Sequence, residues 1–294
     1  MNAEKEKWIL LVVLSLIWGS SFILIKKSLD HFSAYQVGAL RVLIAGIILL
    51  PIAISNYKLF PKKQIKWLVL AAITGNFIPM FLFPIAEEEI SSSIAGIINS
   101  MMPIFVIIVG SLLWKFQSSK RQLIGVGISF LGVCILAFGG GENSDVKIYP
   151  ILLLLLATLF YAISTTTVKS KLMDVSSTVL SAFVFSFVLI IPSIIALLST
   201  GFLSTFTFTE ENLHGLFFVS LLSVFGTGLA MMMNYRLLKV STPLFASTVT
   251  LLMPVVAIIW GYLAGEKLTV IQFAGTAIII AGLVFLRAKT VVAK

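Results

Sequence analysis

Apolar residues fall in runs of about twenty along almost the whole chain, and polar residues collect in the short stretches between them. No run alternates apolar and polar with period two, so helices fit and the shorter, alternating strands of a barrel do not. The runs predict ten helical spans: Trp8–Ile25, Ala34–Ile54, Ile65–Ala86, Ser92–Trp114, Leu123–Phe138, Ile148–Val168, Val179–Leu198, Leu213–Leu238, Thr242–Ala264 and Val270–Leu286. Each is long enough as a helix to cover the roughly 30 Å hydrocarbon core of a bilayer. The expected fold is therefore an all-α integral membrane protein, seated in a lipid bilayer and crossing it ten times. The first run follows Lys5 and Lys7 but exceeds a signal core and leads into further spans, so it reads as a retained span.

Within this pattern one stretch occurs twice. The shift that carries Pro103 onto Pro254 also carries Ala95 onto Ala246, Asn99 onto Thr250, Met102 onto Met253 and Gly110 onto Gly261. A second shift aligns Trp18 with Tyr161, Ser21 with Ser164 and Lys26 with Lys169, and a third aligns Gly125 and Gly132 with Gly275 and Gly282. A glycine-rich turn, Gly139 to Val146, separates five spans from five, which divides the chain into residues 1–141 and 142–294. An odd number of spans per half makes the second half enter the membrane from the other face, so the repeat is an inverted one.

Composition and charge narrow the class. Hydrophobic residues make up 59% of the 294 positions and charged residues 11%, with a mean hydropathy of +1.09. The net charge of +9 does not point to nucleic acid, because the basic residues sit in connections, as topology signals do. Only Lys26, Lys27, Lys147 and Lys267 fall on the side away from the termini, and Arg41 alone lies inside a span, so both termini are expected in the cytoplasm. Cys134 is the single cysteine, and it lies in an apolar run; no metal-ligand spacing and no cofactor motif is present.

The proline helices hold the first candidate residues. Proline lacks an N–H for the carbonyl four residues back, which frees the carbonyls of Asn99 and Thr250 near mid-membrane. A polar side chain beside a freed carbonyl is costly against lipid, so Asn99, Met102, Pro103, Thr250 and Pro254 are expected at a substrate region; the alternative is a packing kink whose carbonyl a neighbour satisfies. Trp18 and Tyr161, a matched pair midway along their spans, suit a cavity wall or packing between the halves. Ser20, Ser21, Ser164 and Thr165 add hydroxyls beside them, although such residues also serve helix contacts. Asn76, Asn234 and Tyr235 are further polar positions in the third and eighth spans, Asn234 directly after Met231 to Met233. Arg41 could meet a substrate carboxylate, pair with Glu87, Glu88 or Glu89, or reach the interface.

The ten spans in two inverted sets, Trp18-Gly19-Ser20-Ser21-Phe22, the alanine-to-proline spacing from Ala95 to Pro103 and from Ala246 to Pro254, and Gly265-Glu266 before the Gly275 and Gly282 helix together resemble the drug/metabolite transporter superfamily, EamA family. The family has Gly-Glu after both proline helices, whereas the first copy here reads Trp114-Lys115. The resemblance implies a secondary transporter with a central cavity that opens alternately to each side. It also implies a small-molecule solute, an amino acid or related metabolite moved in the direction of export, or alternatively a drug or toxic compound, across a bacterial cytoplasmic (inner) membrane. Inverted repeats with broken helices near midplane lead to the same class from the residues alone.

Other classes fit less well. An intramembrane enzyme would need a nucleophile with a base, or a metal cluster, and no histidine or carboxylate is expected deep in a span. A channel would more naturally show rings of pore charges. The same lack disfavours proton coupling, unless Glu266 or the Glu87 to Glu89 cluster is reached by a cavity. Oligomeric state is not legible.

Overall fold

The computed structural model describes residues 2–90, 92–139, 148–263 and 270–286. Among them seven helical stretches are long and apolar enough to cross a membrane: Ala3–Leu29, Ala34–Ser55, Lys62–Glu87, Ile94–Trp114, Ile148–Lys171, Ser177–Ser199 and Glu210–Val240. The helices Lys120–Gly139, Val249–Leu263 and Val270–Leu286 complete ten spans in the expected order. Local chemistry sets several ends. Ser33 and Gln36 form a capping box that opens the second span, and Ser176 caps the seventh. The glycine-rich turn beyond Gly139, the Gly265-Glu266 pair, and Lys147, Lys267 and the basic C-terminus lie outside the described residues.

The fourth span is broken. Ser92–Asn99 stops at a turn through Ser100 and Met101, and Met102–Trp114 resumes with Pro103 in its first turn. Proline is tolerated there because an N–H at that position has no helical partner anyway. Pro103 therefore starts a helix rather than kinking a continuous one. The ninth span breaks one turn earlier in the repeat: Pro243–Ser247 ends at Thr248, and Val249–Leu263 runs through Pro254. The carbonyl that Pro254 frees, that of Thr250, accepts a 2.8 Å hydrogen bond from Ser100 Oγ. The turn residue of one half thus satisfies the freed carbonyl of the other.

The third and eighth spans each contain a π-helical turn, Ile73–Phe77 and Val224–Leu229. The shift that relates the prolines carries one turn onto the other, with Gly75 on Gly226 and Asn76 on Thr227. Each glycine lets a serine of the opposite half approach. A Cβ on Gly226 would come within 2.6 Å of Ser21 Oγ, and a Cβ on Gly75 would overlap the Ser164 side chain. Ser21 and Ser164 are themselves a matched pair, so the two crossings exchange under the repeat, as an inverted twofold requires.

The fifth and tenth spans pack through their glycines. A Cβ on Gly132 would lie 2.7 Å from the Gly275 carbonyl oxygen, and one on Gly282 would meet Ser129 and the Gly125 carbonyl. Ser129 Oγ also donates to the Ile279 carbonyl at 3.1 Å. Apolar side chains such as Ile9, Leu112, Leu131, Ile195 and Val284 point outward along the spans, as a lipid-facing surface requires.

Candidate functional site

A cavity lies at the centre of the bundle, walled by spans one to four, six, eight and nine. Among the described residues, the fifth, seventh and tenth spans contribute nothing to its wall. Its lining comes largely in matched pairs from the two halves. Trp18 faces it with Tyr161, Ser21 with Ser164, and Asn99 with Thr250. Met102 and Met253, Met80 and Met231, Gly75 and Gly226 follow the same rule, as do Phe22 with Thr165 and Phe83 with Asn234. Pairs of sites on opposite halves therefore converge because the fold is its own inverted copy, and sequence-distant helices meet midway.

Trp18 Nε1 donates to the Gly226 carbonyl at 2.9 Å, so this side chain both walls the cavity and ties the first span to the π turn of the eighth. Tyr161 packs against Phe83 with ring centroids 5.9 Å apart. Asn99 is 4% exposed; its Nδ2 points at Met253 Sδ, 3.7 Å away, and its Oδ1 has no partner among the described residues. A buried acceptor left open on a cavity wall is a place for a ligand donor. Thr250 instead donates through Oγ1 to the Ser247 carbonyl, across the break at Thr248 in its own span.

Arg41 breaks the pairing. Its counterpart in the seventh span, by the shift that aligns the caps Ser33 and Ser176, is Val184. Arg41 is 5% exposed, and Nε donates to Thr227 Oγ1 at 2.8 Å while Nη2 reaches the Gly226 carbonyl at 3.4 Å. Among the described residues no carboxylate lies within ion-pair distance of it; Glu87 acts on it only from further off, and the side chain does not escape to the interface. The result is one guanidinium held in place by the eighth span's π turn and presented to a cavity, a geometry suited to an anion.

Of the residues singled out from the sequence, Trp18, Ser21, Arg41, Asn99, Met102, Tyr161, Ser164, Thr165, Asn234, Tyr235 and Thr250 lie on this one wall. Pro103 and Pro254 are buried in the helices that form the wall but do not line it. Asn76 is fully buried beside Tyr235 and does not itself line the cavity, and among the described residues neither polar group finds a well-formed hydrogen bond. Ser20 turns away, accepting from Trp260 Nε1 at 2.7 Å. Sequence reasoning missed Ser100, Thr227, Gly75, Gly226, Met80 and Phe83; extending the proline shift into the third and eighth spans is the signal that finds the last four.

The pattern of the EamA-like transporter family matches residues 6–138 and 148–288. The chain belongs to that family. EamA-like relatives cover it nearly end to end. An uncharacterized transporter of Archaeoglobus fulgidus is 29% identical over 95% of this chain and 97% of its own. The uncharacterized inner membrane transporter YedA of Escherichia coli K12 is 26% identical, covering 92% and 87%. A protein of Salmonella typhimurium named a probable amino-acid metabolite efflux pump is 26% identical, covering 96% and 94%. A solved crystal structure superposes over 96% of both chains with a TM-score of 0.73 at 15% identity, a likeness of fold. Membership in the EamA-like family makes the protein a multi-pass membrane transporter, and its relatives point away from an enzyme.

Proposed function

We propose that the protein is a secondary transporter that exports amino acids or related small metabolites across the bacterial cytoplasmic membrane by alternating access. In this reading both termini are cytoplasmic, as the crowding of lysine and arginine on their side favours. Residues 1–141 and 142–294 act as the two moving units. The observation that carries the reading is Arg41, a buried, anchored guanidinium with no carboxylate in ion-pair distance among the described residues, on the wall of a cavity otherwise lined by neutral side chains. A carboxylate is its natural complement. The relative named as an amino-acid metabolite efflux pump supports the same solute class. Met80, Met102, Met231 and Met253 favour a second solute class, apolar drugs or toxic compounds, since such side chains adapt to varied ligands.

Counterflow of a panel of radiolabelled L-amino acids in proteoliposomes tests the proposal. The expected result is exchange of at least one amino acid, lowered roughly 10- to 100-fold in Arg41→Gln, the loss typical of one charged hydrogen-bond partner. Exchange of apolar cations with no amino-acid flux would move the assignment to the second class.

A further inference from the structure

The first and sixth spans end in matched lysines. Lys26 Nζ donates to the Glu87 carbonyl at 2.8 Å, at the end of the third span on the face away from the termini. Lys169 Nζ donates to the Leu238 carbonyl at 2.6 Å and to the Ser241 carbonyl at 2.7 Å, at the end of the eighth span on the other face. The shift that relates the prolines carries Glu87 onto Leu238. Both halves therefore build the same brace, a lysine that satisfies the carbonyls at a helix C-terminus. One half builds it with leucine, so the brace does not need a carboxylate.

The Glu87 side chain is nevertheless fully buried. Its Oε2 accepts a 3.0 Å bond from Ser92 Oγ, and its Oε1 has no partner among the described residues. An ionised carboxylate with one oxygen unpaired is expensive away from water. The charged and polar groups that act on it are Lys26 of the first span, Arg41 of the second and Ser92 of the fourth. Glu88, next along its own helix, turns to the Ala34 amide instead. Glu87 lies one turn beyond Phe83, so it sits just past the rim of the central cavity, on the first span's side.

We propose that Glu87 is a proton-binding site beside the central cavity, and that its protonation strengthens the hold of Arg41 on a solute carboxylate. One proton adds at Oε1, Oε2 keeps its bond from Ser92, and the neutral side chain no longer offsets the charges of Lys26 and Arg41. Arg41 is then free to hold a solute carboxylate, and departure of the solute favours the ionised state again. The two-way dependence is a linkage between a proton and a carboxylate that share one arginine. This rests on the transporter reading above.

Two measurements on the full chain in liposomes test it. In infrared spectra recorded across pH, wild type is expected to show a protonated carboxyl band that disappears as pH rises and is missing from Glu87→Gln; identical spectra for the two would overturn the site. In counterflow of radiolabelled L-amino acids with the same pH on both sides, wild type is expected to exchange less at a given solute concentration as that pH rises, while Glu87→Gln, always neutral, keeps exchange at every pH. The same pH dependence of exchange in both proteins would overturn the linkage. Absence of any amino-acid flux would overturn the solute assignment, and the infrared difference would still decide whether Glu87 binds the proton.

Discussion

At the scale of single residues, the hydroxyl of Ser100 and the carbonyl of Thr250 carry a link between the halves that neither half could make alone. Ser100→Ala is expected to destabilise the protein in detergent by about 0.6 kcal/mol, the average for such bonds in membrane helices, read as a lower unfolding temperature. Lys115 closes the fourth span with a φ of 55°, in the left-handed region, and its N–H bonds the Gly110 carbonyl. Lys115→Gly is expected to stabilise by about 0.5–1 kcal/mol in the same assay, because glycine takes that conformation without steric cost. The departure from the family's Gly-Glu at this loop thus has a local consequence in backbone geometry. Arg41 and Asn99 were legible as residues too polar for lipid, since the physical cost applies wherever they point. Where Asn76 points was not, because an asparagine in a π turn can face a neighbouring tyrosine as readily as a cavity.

At the scale of elements, the π turns and glycine crossings decide how closely the halves approach. Gly226→Ala would drive a methyl into Ser21 Oγ and is expected to cost about 1–3 kcal/mol, as overpacking does. Adding Ser21→Ala removes the nearest atom and should restore most of the loss; a double variant no better than the single one would show that Ser21 is not the obstacle. Gly132→Val, on the fifth span, is expected to cost at least as much, since the atoms it meets include the Gly275 carbonyl and cannot move aside. The number and order of spans follow from apolar run length, and the glycine stripe of the fifth and tenth spans follows from helical spacing. The π turns did not follow from either, because one extra residue in a turn leaves no periodic signature. The helix break before Pro103 was hidden for a related reason: proline marks a helix start and a helix kink with the same letter.

At the scale of the whole molecule, the inverted repeat places Met80 and Met231 as counterparts on the two sides of the cavity's middle. Met80 lies toward the face where the third span ends at Glu87, and Met231 toward the face where the eighth span ends at Val240. The pairing was readable only in part from sequence, where weak similarity aligned the proline helices and the first spans but left the second, third, seventh and eighth unmatched. Three dimensions supply the rest, because matched residues that never align convincingly still meet at one wall. The most direct test of alternating access through this cavity is labelling of single cysteines at these two positions, with Cys134 replaced, by a membrane-impermeant thiol reagent added to one face at a time. The expected result is that Met80→Cys reacts from the face away from the termini and Met231→Cys from the terminal face, each slowed by a transported amino acid. Equal labelling of both cysteines from one face would describe an open pore and contradict the account.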